Sequence, residues 1–419
     1  MVFSPQIGKF PKRYKFIILS FLSSLFSAIY VTMDVYYLNV ILADTIVYGV
    51  LSVTIGIIAT GVIVILFSIP IKRERGVYVG TFFDPHFHGI IIPSKKVAKY
   101  IILSALGGAM STFAYFYLTF ITDPSTVLPL TRFVILYLLI AELWSERDTP
   151  TIVEIQAITM ITLGVFLVTA SDINLDLLAV LLVFGPMNIG SAIFTYYQKR
   201  AKETRITASR KYDSITLRLW TQFFMMLFII SLSLPLMTPH QYELYFEYFI
   251  PSFAFVALDM AIVFFASITY IRALGIGKMS MVNALTAVSV ILGIPFTYVG
   301  YLLAPHAFPP PTTSLFLWTI KIIAIVLVVI GIVSISISEI KSYLLLNVRP
   351  GCIPHVMDKL RHLKGVETIS AVSGEYAIIV KIRLRSLAKV YNMMIRYIEN
   401  IDGIEDVISV LIAKEWERI

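Results

Sequence analysis

The stretch GIVSISISEIKSYLLLNVRPG, residues 331–351, is the point at which the chain changes character. Long apolar runs dominate the sequence before it, whereas apolar and charged residues alternate after it. The interior of a bilayer does not accept the second pattern, because each charged side chain there costs several kcal/mol. The junction therefore predicts a long membrane-embedded part followed by a small domain outside the membrane.

The composition of the whole chain agrees with a membrane protein. Of its 419 residues, 58% are hydrophobic and 14% are charged, and the mean hydropathy is +0.84, which is too apolar for a soluble globular chain. A helix needs about 20 apolar residues to cross roughly 30 Å of hydrocarbon. Ten apolar runs predict ten transmembrane helices, at residues 16–42, 47–70, 98–121, 126–146, 151–171, 176–198, 219–238, 248–271, 279–303 and 314–338.

The distribution of basic residues predicts the orientation of these helices. Segments 9–15, 72–99, 199–218 and 272–278 contain most of the Lys and Arg of the apolar part, whereas the connections ADTIV, TDPST, SDINLD, TPHQYELYFEY and APHAFPPPTTS contain none. Basic residues accumulate on the cytoplasmic side of membrane proteins. We therefore expect a multi-pass protein of the inner or plasma membrane with both termini in the cytoplasm. Orientation explains the net charge of +8, and no nucleic-acid partner is expected.

Ten helices divide naturally into two sets of five. An odd number of helices in each copy inverts the second copy, which is the symmetry of many transporters. The fifth run closes on LGVFLVTAS and the tenth on IGIVSIS, and the basic segment 199–218 separates the halves. The sequence thus predicts inverted five-helix repeats at residues 1–172 and 173–340, followed by a domain at 341–419.

This pattern resembles the EamA-type branch of the drug/metabolite transporter superfamily. The resemblance extends over roughly residues 16–338 and includes PLTRFVILYLLIAELWSERDTP, which contains Glu142 where the family has an acidic residue. It implies a fold of ten helices in two repeats. It also implies a prokaryotic transporter or exporter of small metabolites, whose partners are the lipid bilayer and a small-molecule solute.

Four ionisable residues fall inside the apolar runs: Asp34, Arg132, Asp259 and Lys321. Such residues are functional candidates, because an unpaired charge in hydrocarbon is costly. Asp259 is the first choice for a proton carrier in a transport cavity and Asp34 the second. The alternative is a structural network of ion pairs, with Lys321 extending toward the headgroups beside Trp318.

Uncharged polar residues extend the predicted substrate pathway. Asn188 follows Pro186 in FGPMNIG, and Asn283 lies near the start of the ninth run. A proline inside a span frees a backbone carbonyl that neighbouring groups can engage. Gly107 and Gly108 permit close helix approach, so we assign them to packing.

Enzymatic motifs are not found in the sequence. Asp84, His86 and His88 alternate in DPHFH and include residue types that bind metals, but a solvated loop explains them equally well. The sequence shows no nucleophile elbow, P-loop, H-E-x-x-H or dinucleotide fingerprint. We therefore expect neither an enzyme nor a metal or cofactor site.

The C-terminal residues predict a compact α+β domain. SYLLLNVRP, VETISAVSG, EYAIIVKIRLR and IEDVISVLIAKEW have the composition or alternation of strands, whereas IPHVMDKLRHLKG and SLAKVYNMMIRYIENIDG have helical periodicity. The resulting order βαββαβ is that of a ferredoxin-like fold.

Residues 342–416 are similar to the effector-binding (RAM) domain of the Lrp/AsnC regulators. Gly374, Glu375 and Tyr376 match the family's central turn, whereas Ala377 stands in place of an acidic residue. The resemblance implies a homodimer formed through the C-terminal domains and an effector site near this turn. A dimerisation module without a ligand is the alternative for this domain. For the whole protein, the alternative is a membrane-embedded sensor or scaffold without transport activity.

Overall fold

The computed structural model describes residues 12–72, 76–121, 128, 130–146, 152–170, 177–207, 210–308, 314–337, 340–361, 363, 365–384 and 393–411. The chain divides into two compact units. The helical unit comprises residues 1–149 and 158–332, and the C-terminal unit comprises residues 150–157 and 333–419.

Within the described ranges, the apolar part of the chain forms twelve α-helical segments. They are α1 Lys12–Tyr36, α2 Thr45–Phe67, α3 Lys95–Ile121, α4 Val134–Glu146, α5 Ile152–Ala170, α6 Leu177–Leu182, α7 Asn188–Glu203, α8 Ser214–Ser233, α9 Pro239–Leu274, α10 Met279–Thr286, α11 Val288–Leu303 and α12 Leu315–Ile337. A short hairpin of β1 Pro70–Lys72 and β2 Val77–Tyr78 follows α2. A π-helical turn, Val183–Met187, joins α6 to α7.

Among the described residues, seven helical segments are long and apolar enough to cross a membrane. They include α1 to α3, α8 and α9, the combined α6–α7 segment and the combined α10–α11 segment. The apolar stretches within α5 and α12 are shorter. All ten predicted runs contain helix. The seven helices are compatible with a multi-pass membrane protein, and the count of ten crossings stays a prediction.

The helices of the helical unit pack against one another in specific pairs. The most extensive contacts join α3 to α7 and α1 to α9. Further contacts join α2 to α9 and α3 to α8, and α2 also packs against α8. At another side of the bundle, α4 contacts both α7 and α10.

Close contact between α3 and α7 depends on two glycines. A Cβ atom at Gly107 would lie 2.6 Å from the carbonyl oxygen of Gly190, and one at Gly190 would lie 2.5 Å from that of Gly107. Both distances are shorter than non-bonded atoms tolerate, and neither contact is with a side chain that can rotate away. The predicted packing role of Gly107 therefore agrees with the structure.

The segment after β2 is held by a buried ion pair. Lys202 of α7 donates to Asp84 Oδ2 at 2.7 Å, and the backbone N–H of Ser214 donates to the same oxygen at 2.7 Å. Burial opposes the charge on Asp84, but Lys202 and the backbone donors outweigh it and hold the Asp84 pKa well below its usual range. No group of three His, Cys, Asp or Glu suited to a metal occurs within the described ranges, and Asp84 binds Lys202 instead.

Asp213 lies beside this ion pair and is fully buried. Its Oδ1 accepts from the backbone N–H of Thr216 and caps α8, whereas its Oδ2 has no donor among the described residues. Burial raises the Asp213 pKa to about 6; the Thr216 N–H opposes the shift, Asp84 adds to it and Lys202 partly offsets it.

The C-terminal unit contains a four-stranded sheet and a helix. Its elements are β3 Ile340–Val348, α13 Ile353–Arg361, β4 Val366–Ala371, β5 Ile378–Leu384 and β6 Ile404–Leu411. The strand order is β4-β5-β3-β6, and every neighbouring pair is antiparallel. Inward residues of β3 and β5, including Leu344, Leu346 and Val380, pack with Val356 and Leu360 of α13.

The two faces of this sheet differ in exposure. The register pairs Leu344 with Val380 on the buried face and Tyr343 with Lys381 on the other face. The first helix of this unit ends at Arg361, and Gly365, four residues later, has a φ of +100°, which suits glycine. Residues 386–392 of the second predicted helix lie outside the described residues, and Met394–Ile398 form a π-helical turn. An antiparallel sheet domain is thus shown, and the complete ferredoxin-like order stays a prediction.

The glycine contact predicts a selective packing defect. Gly107→Ala should lower the melting temperature of the purified protein in detergent, because its methyl group would meet the Gly190 carbonyl. The expected cost is about 1–3 kcal/mol. Gly61→Ala is the matched control, since a Cβ at this helical position of α2 meets nothing within 4 Å. Equal melting temperatures for the two variants would contradict the proposed contact.

The Asp213 environment predicts a pH-dependent stability. The folded protein binds the Asp213 proton more tightly than the unfolded chain, so this group stabilises the fold as the pH falls from 7 to 5. Its contribution should be about 1 kcal/mol over that interval. Melting temperatures at both pH values should show this gain in the wild type and its loss in Asp213→Asn. Glu247→Gln, at an exposed acid, should retain the gain. A gain that persists in Asp213→Asn would refute the assignment.

Candidate functional site

The helical unit contains a cavity of about 270 Å³. Residues of α1, α2, α3, α7, α8, α9 and α10 form its walls, together with the turn that precedes α4. The lining combines aromatic rings with hydroxyl groups and charged side chains. Three of the predicted pathway residues, Asp34, Arg132 and Asn283, line it.

Two buried carboxyl groups adjoin each other next to this cavity. Asp34 of α1 and Asp259 of α9 are electrostatic neighbours and are almost completely inaccessible to solvent. No described N–H or O–H group donates to either oxygen of Asp259. The sequence analysis allowed the acids to pair with bases; the structure brings the two acids together instead.

Tyrosine hydroxyl groups hold the Asp34 carboxylate. Tyr48 of α2 donates to Asp34 Oδ1, and Tyr115 of α3 donates to Oδ2 at 2.6 Å. Tyr48 is fully buried and its ring packs against those of Tyr37 and Phe116, so the donor is fixed in place. The sequence analysis did not identify these tyrosines. Tyr48 lies in the second apolar run and Tyr115 in the third, and the sequence does not indicate that either approaches Asp34.

Arg132 lies where two interrupted helices meet. It belongs to the 3₁₀ turn Thr131–Phe133 that precedes α4. Its Nη1 donates to Thr286 Oγ1 at 2.8 Å, at the end of α10, where the α10–α11 segment is interrupted at Ala287. The Nε atom of Arg132 is buried without an acceptor among the described residues.

Arg218 is a cavity residue, although the basic segment 199–218 predicts a cytoplasmic loop at this position. Asp213 caps α8, which therefore begins at Ser214, so Arg218 lies more than one turn inside the helix. Its side chain is buried and lines the cavity. The capping pattern DS before an apolar run was the signal that could have revealed its position.

Asn283 organises another part of the wall. Its Nδ2 donates to the Tyr270 hydroxyl at 2.8 Å and to the carbonyl of Met279 at 3.0 Å. The Tyr270 hydroxyl also forms a hydrogen bond of 2.7 Å with Thr195. This chain fixes the orientation of a tyrosine that faces the cavity.

Asn188 is not among the described residues that line this cavity. Asn188 is fully buried and its Nδ2 donates to the carbonyls of Leu130 and Val183 at 3.0 and 2.7 Å, so it braces the π-helical turn around Pro186. Lys321 belongs to α12, and its side chain lies outside the described residues.

The predicted effector turn of the C-terminal unit is accessible. Gly374 and Glu375 are exposed and Tyr376 is half-buried, between β4 and β5. On the sheet face away from α13, Leu345 pairs with Ile408 and Tyr343 pairs with Val410. Ile408 and Val410 are exposed, so an apolar surface is available beside the turn-bearing strands.

Three solved structures are similar to parts of the chain. E. coli AsnC is 18% identical, with a TM-score of 0.20, over 25% of this chain and 76% of its own. TTHA0845 from Thermus thermophilus is 19% identical, with a TM-score of 0.18, over 19% of this chain and 99% of its own. A crystal structure described only as a protein is 13% identical, with a TM-score of 0.49, over 77% of this chain and 96% of its own.

The sequence comparisons give one specific result. No curated protein is significantly similar to the chain. The likeness of the helical unit to EamA-type transporters stays a prediction. Residues 342–418 match the family model of the Lrp/AsnC ligand binding domain, which confirms the predicted identity of the C-terminal domain.

Proposed function

We propose that the helical unit is a membrane transporter of small metabolites driven by proton movement. The observation that carries the proposal is the meeting of two interrupted helices at the cavity, where Arg132 binds Thr286. Paired discontinuous helices in corresponding halves are a feature of transporter binding sites, because they place free backbone and side-chain groups within the bundle.

The packing pattern supports two inverted repeats. Exchange of the first five helices with the second five relates α1 to α6–α7, α2 to α8, α3 to α9, α4 to α10–α11 and α5 to α12. This exchange converts the α3–α7 contact into the α9–α1 contact, and the α2–α9 contact into the α8–α3 contact. The contacts α2–α8 and α4–α10 are each converted into themselves. Such pairing is the contact pattern expected of a pseudo-two-fold transporter.

The acid pair supplies a carrier for the coupling proton. Two adjacent buried carboxyl groups do not both ionise readily, because their charges repel in a medium of low dielectric constant. The tyrosine donors favour the charge on Asp34, whereas Asp259 has no donor among the described residues. A proton on Asp259 can therefore bridge the pair. The pair would take up that proton when the cavity opens to one side of the membrane and release it when the cavity opens to the other side.

The C-terminal domain is proposed to pair two copies and to sense an effector. Its Lrp/AsnC match favours effector sensing, and the exposed apolar face around Ile408 offers a surface for pairing. A small domain with such a face buries more apolar area in a dimer than alone. The Gly374–Tyr376 turn is the proposed effector contact. A sensor without transport is the second candidate function, favoured by the same family match.

Removal of the proton site should uncouple transport. In proteoliposomes screened with radiolabelled small metabolites, a pH gradient should drive flux through the wild type and not through Asp259→Asn. Asp34→Asn should also lose gradient-driven flux, since it removes the carboxylate that pairs with Asp259. Asp406→Asn, at an exposed acid of β6, is the control and should retain it. Normal pH-dependent flux through folded Asp259→Asn would disprove the carrier role, and wild-type flux of no solute would favour the sensor.

The dimer should be detectable by cross-linking of full-length protein. In a Cys352→Ser background, Ile408→Cys places a thiol on the exposed sheet face and should form a disulfide between copies upon mild oxidation. Lys359→Cys, on the exposed side of α13, is the matched control and should remain largely monomeric on non-reducing gels. Equal cross-linking at both positions would argue against pairing through this face.

A further inference from the structure

We infer that the cavity binds the carboxylate or phosphate group of a small organic anion through Arg132 and Arg218. The inference rests on the proposed transport function insofar as it names the substrate class. The binding itself needs no transport and can be measured separately.

Arg218 provides the first observation. Its side chain is buried and lines the cavity, its Nε has no acceptor, and it makes no ion pair or hydrogen bond with any described residue. A buried guanidinium without a counter-charge is costly. It is always protonated and offers five donors in a planar fork that matches carboxylate and phosphate. An anion in the cavity would satisfy it.

Arg132 provides a second guanidinium in the same cavity. Its contact with Thr286 uses one Nη atom, and no carboxylate of the described residues lies within salt-bridge distance of it. Both arginines line this cavity, and Tyr30 is another residue of the lining. The two cations therefore act on a common region of the cavity.

The acid pair offsets at most one of these two positive charges. Both oxygens of Asp34 accept hydrogen bonds from tyrosines, and Asp259 is not part of the lining. When the two acids share one proton, the acid pair carries one negative charge and the two arginines carry two positive charges. The region then has one excess positive charge. Electrostatic complementarity thus favours an anionic ligand over a cationic or neutral one.

The remaining wall suits a small organic body. Tyr115, Tyr270 and Phe194 contribute rings, and the hydroxyls of Ser111 and Ser191, 2.7 Å apart, offer further hydrogen bonds. A volume of about 270 Å³ lies near the lower end of the usual range for ligand pockets. An aromatic acid of one ring matches this combination of size, apolar surface and charge.

The test uses full-length protein in detergent and four probes that share one ring. Phenylacetate and phenyl phosphate are anionic, phenylacetamide is neutral and phenethylamine is cationic. Sodium chloride keeps the ionic strength constant, because added salt alone changes stability. The two anions, or one of them, should raise the melting temperature in a saturable manner, whereas the amide and the amine should not. Preference for the amine or amide, or no stabilisation by either anion up to its solubility limit, would overturn the inference.

Variants assign the binding to the cavity. Arg218→Gln and Arg132→Gln should each weaken anion binding roughly tenfold to a hundredfold, as expected for loss of a charge-assisted hydrogen bond. Arg218→Lys retains the positive charge but not the planar guanidinium group, and it should lose less anion affinity than Arg218→Gln. Arg349→Gln is the control, since this exposed arginine lies in the C-terminal unit beside Glu405. Unchanged anion affinity in both cavity variants would place the binding elsewhere, including the C-terminal domain, and refute the inference.

This result can be separated from that for transport. Arginine-dependent anion binding without flux of any solute would refute the transporter and retain the anion site. Proton-driven flux of a cationic solute would retain the transporter and refute the anion site.

Discussion

The hydrogen bonding of one buried carboxylate is the constraint on which the helical unit depends. Asp34 on α1 is held by hydroxyls from α2 and α3, and it adjoins Asp259 of α9. Four helices must therefore keep a fixed arrangement, because loss of a donor would leave charge uncompensated in an apolar interior. The extensive α1–α9 and α2–α9 contacts supply that rigidity. Helix packing and the hydrogen bonds to Asp34 thus stabilise the same arrangement of four helices.

The related contacts of the two halves explain where the cavity forms. Close approach at Gly107 and Gly190 draws α3 against α7. At Gly164, a Cβ would lie 2.7 Å from the carbonyl oxygen of Ala324, so α5 and α12 also meet closely. The 3₁₀ turn before α4 contributes Arg132 to the cavity wall, and the end of α10 contributes Thr286.

Sequence reasoning identified the individual groups better than their partners. Hydropathy located helix in every predicted run, and the carboxylates Asp34 and Asp259 stood out because such residues are rare in apolar spans. Their mutual contact depends on the packing of distant helices, which periodicity does not encode. Arg218 was assigned to a loop because basic residues precede it, although Asp213 caps a helix that includes it. In the C-terminal unit, the alternation of apolar and polar residues is enough to predict the strands, because one face of the sheet is buried.

The two proposed binding events are physically coupled through charge. Asp34, Arg132 and Arg218 line the same cavity, and Asp259 adjoins Asp34, so the acid pair and the arginines share one electrostatic environment. An anion at the arginines would make a second negative charge on the acid pair less favourable, and would therefore favour retention of its proton. By reciprocity, a protonated pair would favour the anion by the same factor. Proton and anion would then enter and leave the cavity together. A cationic substrate in the same cavity would displace the proton instead, so the sign of the ligand charge determines whether the two move together or in exchange.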